Sequence, residues 1–379
     1  MVPVPRPELP RIITYYQTHH TPDGRPISVL PLLTEPGISV THVIVAAIHL
    51  NEDPSAITLN DHHPDHARFD TLWAEMRVLQ ASGVRVLGML GGAAKGSFAR
   101  LDGGPAQFET YYAPLRELVR ARALDGLDLD VEEDMSLAGV VRLIDRLRAD
   151  FGRDFIITLA PVASALLGDH DPRRNLSGFG YEALHAARGS EVAWLNTQFY
   201  CGWGDCSSPH MYNAAVARGV WPAEKIVVGL ITNPASGGGW TPWEALMYVL
   251  PLLAGHHARF GGVMGWEYFN SLPGGEDRPW EWAMFMTALL RGERAVADGE
   301  QPVLKAIESE AQREHVELEE EKEKQMEKKA EEEQKCAEGK ATQQQQQQQP
   351  SHEVDGQQGP EAPVPGDFDY YSDRQKDLD

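Results

Sequence analysis

The feature that most constrains this chain is a repeated alternation. Eight short runs rich in β-branched and aliphatic residues fall at 12–17, 41–49, 84–90, 127–132, 155–160, 193–200, 225–231 and 262–268, with longer stretches of helical periodicity between them. Strands separated by helices must be joined by crossovers, and crossovers produce a parallel sheet with helices packed outside it. The stretches at 69–81, 108–121 and 137–151 are amphipathic; the last carries Val140, Val141, Ile144 and Leu147 at helical spacing, with Ser136 placed as its N-cap. An open doubly wound sheet alternates in the same way, so periodicity alone leaves both architectures standing. The count of eight units points to an α/β fold of the closed (β/α)8 TIM-barrel kind.

Residues 1–299 are the predicted barrel domain. From residue 300 the chemistry changes to a charged helical tract at 303–340, seven consecutive glutamines at 343–349, and an end bearing Pro and Asp. Such a composition has too little apolar surface to offset the entropy of ordering, so residues 300–379 are expected to form a charged, largely disordered tail of unknown partner. Residues 301–379 hold ten Lys and Arg against twenty-one Asp and Glu, which is half of the chain's formal charge of −22. The remaining acidity, with no basic stripe, argues against a nucleic-acid partner and for a neutral substrate. Three cysteines, Cys201, Cys206 and Cys336, offer no disulfide framework, which suits reducing conditions. The first residues lack an apolar leader core and the most apolar later stretch is broken by Pro251, so neither a membrane span nor a signal peptide is expected. The corresponding location is the cytoplasm, or outside the cell if the N-terminus is incomplete. The sequon at Asn175 carries no weight by itself.

The chemistry concentrates in Asp125-Gly-Leu-Asp128-Leu-Asp130-Val-Glu132-Glu133. Asp128, Asp130 and Glu132 share one parity, while Leu127, Leu129 and Val131 share the other. Side chains alternate across a strand, so in a barrel the aliphatic row meets the helices and the acids face the bore. A row of charges inside a packed barrel is costly to desolvate, which makes it a candidate site. A polar network or a half-exposed edge strand gives the same pattern. Acids on alternate residues lie about 6 to 7 Å apart at Cα, close enough for repulsion to keep one protonated near neutral pH, as a general acid must be. Glu132 falls where the C-terminal ends of barrel strands gather catalytic groups.

The same residues carry a resemblance. Asp125, Asp128, Asp130 and Glu132 match every fixed position of Asp-x-x-Asp-x-Asp-x-Glu, the signature of family-18 glycoside hydrolases. The resemblance implies Glu132 as the acid/base, Asp130 as the group that orients the substrate's own 2-acetamido nucleophile, and Asp128 as the third member of the catalytic row. This is one of the exceptions to the two-carboxylate scheme, because the nucleophile belongs to the sugar. In Asn196-Thr-Gln198-Phe-Tyr200, Tyr200 resembles the family tyrosine that bonds the acetamido carbonyl. Gln198 resembles the glutamine beside it in the endoglycosidase branch, and Asn196 shares their face. Trp266 resembles the tryptophan that floors the sugar site. Gly91 and Gly92 resemble the family's glycine turn, with Met89 in place of its serine. Tyr16, at the end of the first strand, either lines the pocket or packs. No cofactor and no metal are implied.

Over residues 11–291 the chain is similar to fungal family-18 endo-β-N-acetylglucosaminidases of the Endo T type. That similarity implies hydrolysis of the N-glycan GlcNAc-β1,4-GlcNAc core, with an N-glycan or glycoprotein as partner. A chitinase shares the fold and the acid motif, and differs in its substrate loops. A catalytically silent carbohydrate-binding barrel and a metal-dependent phosphodiesterase are the remaining alternatives.

Overall fold

The computed structural model describes residues 9–168 and 172–292. The 299/300 boundary and the tail lie outside the described residues. Among the described residues nine strands are β1 (Arg11–Tyr16), β2 (His42–His49), β3 (Thr58–Leu59), β4 (Arg85–Gly91), β5 (Gly126–Asp130), β6 (Ile156–Leu159), β7 (Trp194–Gln198), β8 (Ile226–Ile231) and β9 (Gly262–Trp266). All except β3 pair in parallel, in the order β1-β9-β8-β7-β6-β5-β4-β2, and β1 pairs with β2 to close the ring. The short β3 pairs with β2 in antiparallel fashion at the rim. A closed ring of eight parallel strands excludes the open doubly wound sheet; the fold is a TIM barrel.

The helices follow from the amphipathic stretches. They include α2 (Asp70–Ala81), α4 (Pro105–Arg122), α5 (Leu137–Phe151), α6 (Tyr181–Arg188), α7 (His210–Ala217), α8 (Trp243–His256) and α9 (Glu281–Arg291), with a one-turn α1 (Pro31–Thr34) and the short α3 (Ser97–Leu101). Ser136 caps α5 as its sequence position predicts: its Oγ accepts the Gly139 N–H at 3.0 Å. Between β1 and β2 the alternation thins to α1 and extended chain, so this corner of the rim is built of loops.

Two apolar layers result. Leu127, Leu129 and Val131 face the helices at 0–2% exposure, in one shell with Val140, Ile144 and Leu147 of α5. Burying each such side chain contributes about 1.5–3 kcal/mol, which helps offset the cost of the acids on the opposite face. The bore holds a second cluster of Ile13, Tyr15, Ile44, Leu87, Met89, Val227, Ile231 and Met264. This packing fills the middle of the bore and separates its open C-terminal end from a cavity at the N-terminal end lined by Arg11, His42, Arg85 and Trp194.

Candidate active site

That open end is a cleft of about 440 Å³. Asp130, Glu132, Gln198, Tyr200, Trp266, Gly91 and Gly92 line it, seven of the ten residues the sequence singles out. Asp130 is the last residue of β5, Gln198 the last of β7 and Trp266 the last of β9, so the C-terminal strand ends supply the chemistry.

At the bottom lies Asp128, with no solvent exposure. Its oxygens accept from Tyr15 Oη at 2.6 Å, Thr158 Oγ1 at 2.6 Å and Asn196 Nδ2 at 3.0 Å. Burial raises its pKa, and these three donors oppose the rise. One step up, Asp130 is pushed well above the usual carboxylate range, first by burial and then by the charges of Glu132 and Asp128. Asp130 is thus held toward its neutral form, and desolvation contributes more to this than repulsion does. Glu132, two residues on and half-buried, reaches the cleft beyond the strand end.

Gln198 ties the two upper acids together. Its Nε2 lies 3.2 Å from Asp130 Oδ1, 3.0 Å from Glu132 Oε1 and 3.1 Å from Ala160 O. An amide nitrogen has two hydrogens for these three acceptors, so one contact is always unpaid by a hydrogen. The Tyr200 phenol, raised by burial and then by Asp130 and Glu132, stays neutral. Its O–H forms no hydrogen bond with the described residues, so it is free to donate into the cleft. Trp266 offers its ring at the rim, 5.5 Å from Tyr15. Gly91 and Gly92 have φ of +93° and +91°, and a Cβ on Gly91 would sit 2.6 Å from Asp130 O. Glycine is thus required for β4 to pass so close to the acid. Met89 lies in the cleft wall under Gly92 where the family serine was expected.

Three assignments, those of Tyr16, Asp128 and Asn196, need correction. Tyr16 points away from the bore, and its hydroxyl donates to Ile27 O at 2.5 Å within the outer shell. Strand alternation puts Tyr15 inside instead. Asp128 and Asn196 lie beneath the cleft, both fully buried and bonded to each other, so they do not touch a substrate, and Asp128 acts on Asp130 through its charge. The first acid of the motif, Asp125, is at the opposite end of β5, accepting from Val86 N, Gln80 Nε2 and Arg85 Nη1 at 2.8–3.0 Å.

Sequence reasoning missed Tyr15, Thr158, Glu133 and Glu267. Thr158 is the one polar residue in its strand, a usable signal. Glu133 accepts from Gly96 N and Phe98 N, both at 2.8 Å, and so holds the loop after β4. Glu267 accepts from Gln17 N at 3.0 Å and from Thr18 N and Oγ1 at 2.8 Å, which fixes the loop after β1.

A parallel barrel with a desolvated acid column at its C-terminal mouth defines a hydrolase-type site. The profile of the glycosyl hydrolases family 18 matches residues 11–170. A fungal endo-β-N-acetylglucosaminidase of that family is 50% identical, with a TM-score of 0.71, covering 75% of this chain and 99% of its own. A chitinase from Aspergillus fumigatus is 56% identical, with a TM-score of 0.67, covering 73% of this chain and 98% of its own. Chitinase 2 of Rhizopus oligosporus is 28% identical over 218 residues, 51% of this chain and 36% of that protein, so this chain spans about a third of that relative's length. The chain belongs to glycosyl hydrolase family 18.

Proposed function

We propose that this protein is a retaining endo-β-N-acetylglucosaminidase that cuts between the two core GlcNAc residues of N-glycans. The carrying observation is Gln198, whose amide spans Asp130 and Glu132 beside the unengaged O–H of Tyr200. These groups match what substrate assistance requires. The single proton of the acid column passes from Asp130 to Glu132, which leaves an Asp130 carboxylate to accept from the acetamido N–H. Tyr200 donates to the acetamido carbonyl oxygen, which attacks the anomeric carbon as Glu132 protonates the departing glycosidic oxygen. Water, deprotonated by Glu132, then opens the resulting oxazolinium ring with net retention, and the proton returns to the column. Trp266 supplies a face for the ring of the reacting sugar.

Two observations favour an N-glycan over chitin. The aromatic side chains Tyr200, Trp203 and Trp266 stay within one short cleft. The adjoining recess is walled by His, Asn, Arg and Lys rather than by further platforms for a linear polymer. The similarity to the Aspergillus fumigatus chitinase supports the rival reading, and one experiment separates them. A high-mannose glycoprotein and chitin oligomers are incubated with the protein, and products are identified by mass. Release of glycans bearing one reducing GlcNAc is expected; cleavage of chitin oligomers without glycan release overturns the proposal. A Glu132→Gln protein with undiminished cleavage removes Glu132 from its role. The free thiols Cys201 and Cys206 suit action in a reducing compartment such as the cytoplasm, on released glycans or misfolded glycoproteins.

A further inference from the structure

Beside the catalytic cleft lies a second cavity, larger at about 590 Å³ and continuous with the first through Gln17, His49 and Ala94, which line both. It is formed by the loops after β1, β2 and β4, the corner where the helical layer thins. Its chemistry differs from that of the cleft. Among the described residues the only carbocyclic aromatic ring in its wall is the buried Phe69, so these residues offer no exposed platform for stacking a neutral sugar.

What it offers is positive charge that no carboxylate pairs with among the described residues. Arg68 Nη1 lies 2.9 and 3.0 Å from the two ring nitrogens of His62, and Nη2 lies 3.5 Å from His20 Nδ1. Among the described residues no carboxylate pairs with Arg68, and its guanidinium rests over the Phe69 ring at 5.7 Å. Lys95, on the opposite loop, is exposed and has no partner among the described residues. Among the described residues the one carboxylate in the wall is Asp61. Elsewhere on this acidic chain arginines such as Arg85, Arg122, Arg188 and Arg218 hold carboxylates. A neutral imidazole has a single acceptor nitrogen, so His62 accepts one hydrogen bond from Arg68 and orients its guanidinium without neutralising it, which leaves the remaining attraction available to a ligand anion.

Resting on the reading of this protein as an N-glycan hydrolase, we propose that the recess is a subsite for a sugar branch carrying an anionic group, phosphate or carboxylate, with Arg68 and Lys95 as its cations. The Gln17 and His49 threshold lets one glycan lie in both cavities, its core GlcNAc pair at Glu132 and a charged branch at Arg68. The site then selects among N-glycans by charge, adding attraction for an anionic branch and leaving the neutral core to the cleft.

A binding assay tests this without relying on the substrate class. The full-length protein is titrated calorimetrically with mannose 6-phosphate, N-acetylneuraminic acid and mannose. Saturable binding of at least one anionic sugar is expected, weakening with salt and weakening roughly tenfold in Arg68→Gln and in Lys95→Gln, as loss of one charge-assisted contact implies. The stronger of the two anionic sugars identifies the group as phosphate or carboxylate. Equal binding of all three sugars, or anion binding unchanged in both variants, overturns the proposal. Lys95 makes no contact that folding needs, so its variant remains informative if Arg68→Gln is unstable. In parallel, kcat/KM is compared for a phosphorylated high-mannose glycopeptide and its phosphatase-treated form. Failure to cut either one removes the N-glycan reading, while the titration still decides the anion site.

Discussion

Asp130 concentrates the conflict between stability and chemistry in this molecule. Its folded pKa lies above the unfolded value because burial and two neighbouring acids favour the neutral form. A group raised in this way contributes stability that is fully present below the ordinary carboxylate range and lost as pH rises through the folded value. At pH 7, above the ordinary carboxylate range, the wild type has therefore given up part of that contribution. Asp130→Asn, which does not titrate, should melt about 2–6 °C higher at pH 7, with the gap closing as pH falls below the carboxylate range; calorimetric scans across pH measure it. The same variant, and Tyr200→Phe, should each lower kcat by about two to four orders of magnitude, since each removes one preorganised group. A variant that is both more stable and nearly inactive marks a residue kept for function; equal melting at all pH values would mean that Asp130 is not desolvated as described. The acid column was legible in the sequence because Asp128, Asp130 and Glu132 alternate with Leu127, Leu129 and Val131, which sorts the two faces unambiguously. Which acid carries the proton was not, because that depends on burial and on the donors Tyr15, Thr158 and Asn196 from three other strands.

At the scale of single elements, strand phase decides what reaches the bore, and β1 is where the pattern gives no phase. Its run Arg11–Tyr16 is apolar or aromatic at both parities from Ile12 onward apart from Thr14, and every residue in it is buried. Alternation assigns a face only where the two faces differ chemically, which β5 satisfies and β1 does not. The neighbouring tyrosines then make a matched experiment. Tyr15→Phe removes a donor that opposes the rise in the Asp128 pKa. It should move the acidic limb of the kcat profile to higher pH and lower kcat roughly tenfold, the consequence of losing one hydrogen bond to a charged group. Tyr16→Phe loses its bond to Ile27 O on the helix side. It should cost about 1 kcal/mol of stability while kcat stays within about twofold. Reversal of the two outcomes, read from denaturant curves and pH–rate profiles, would put β1 in the opposite phase. The loops after β1, β2 and β4 were less legible still: Gln17, His49, Arg68 and Lys95 are far apart in sequence and follow no period, and only closure of the barrel brings them to one wall.

For the whole molecule, the relevant fact is where the apolar surface ends. The first and last strands, β1 and β9, pair in the ring, α9 follows as the last described helix, and Arg291 at its end reaches back to donate to Leu9 O at 2.9 Å. The fungal endo-β-N-acetylglucosaminidase corresponds over 99% of its length to 75% of this chain, so a complete barrel of this kind is accounted for without the polar C-terminal region. Half of the formal charge of −22 lies beyond residue 300. The eight parallel strands close their ring within residues 11–266. A protein ending at residue 299 should therefore unfold in one cooperative transition within about 2 °C of the full chain, a shift below that of 1 kcal/mol for a domain of this size, and keep its glycosidase kcat within about twofold. Scanning calorimetry and a glycan-release assay on the two proteins measure both quantities. A truncated protein that melts much lower, or unfolds in several steps, would mean that the barrel relies on C-terminal contacts, and the domain boundary would then have to move beyond residue 299.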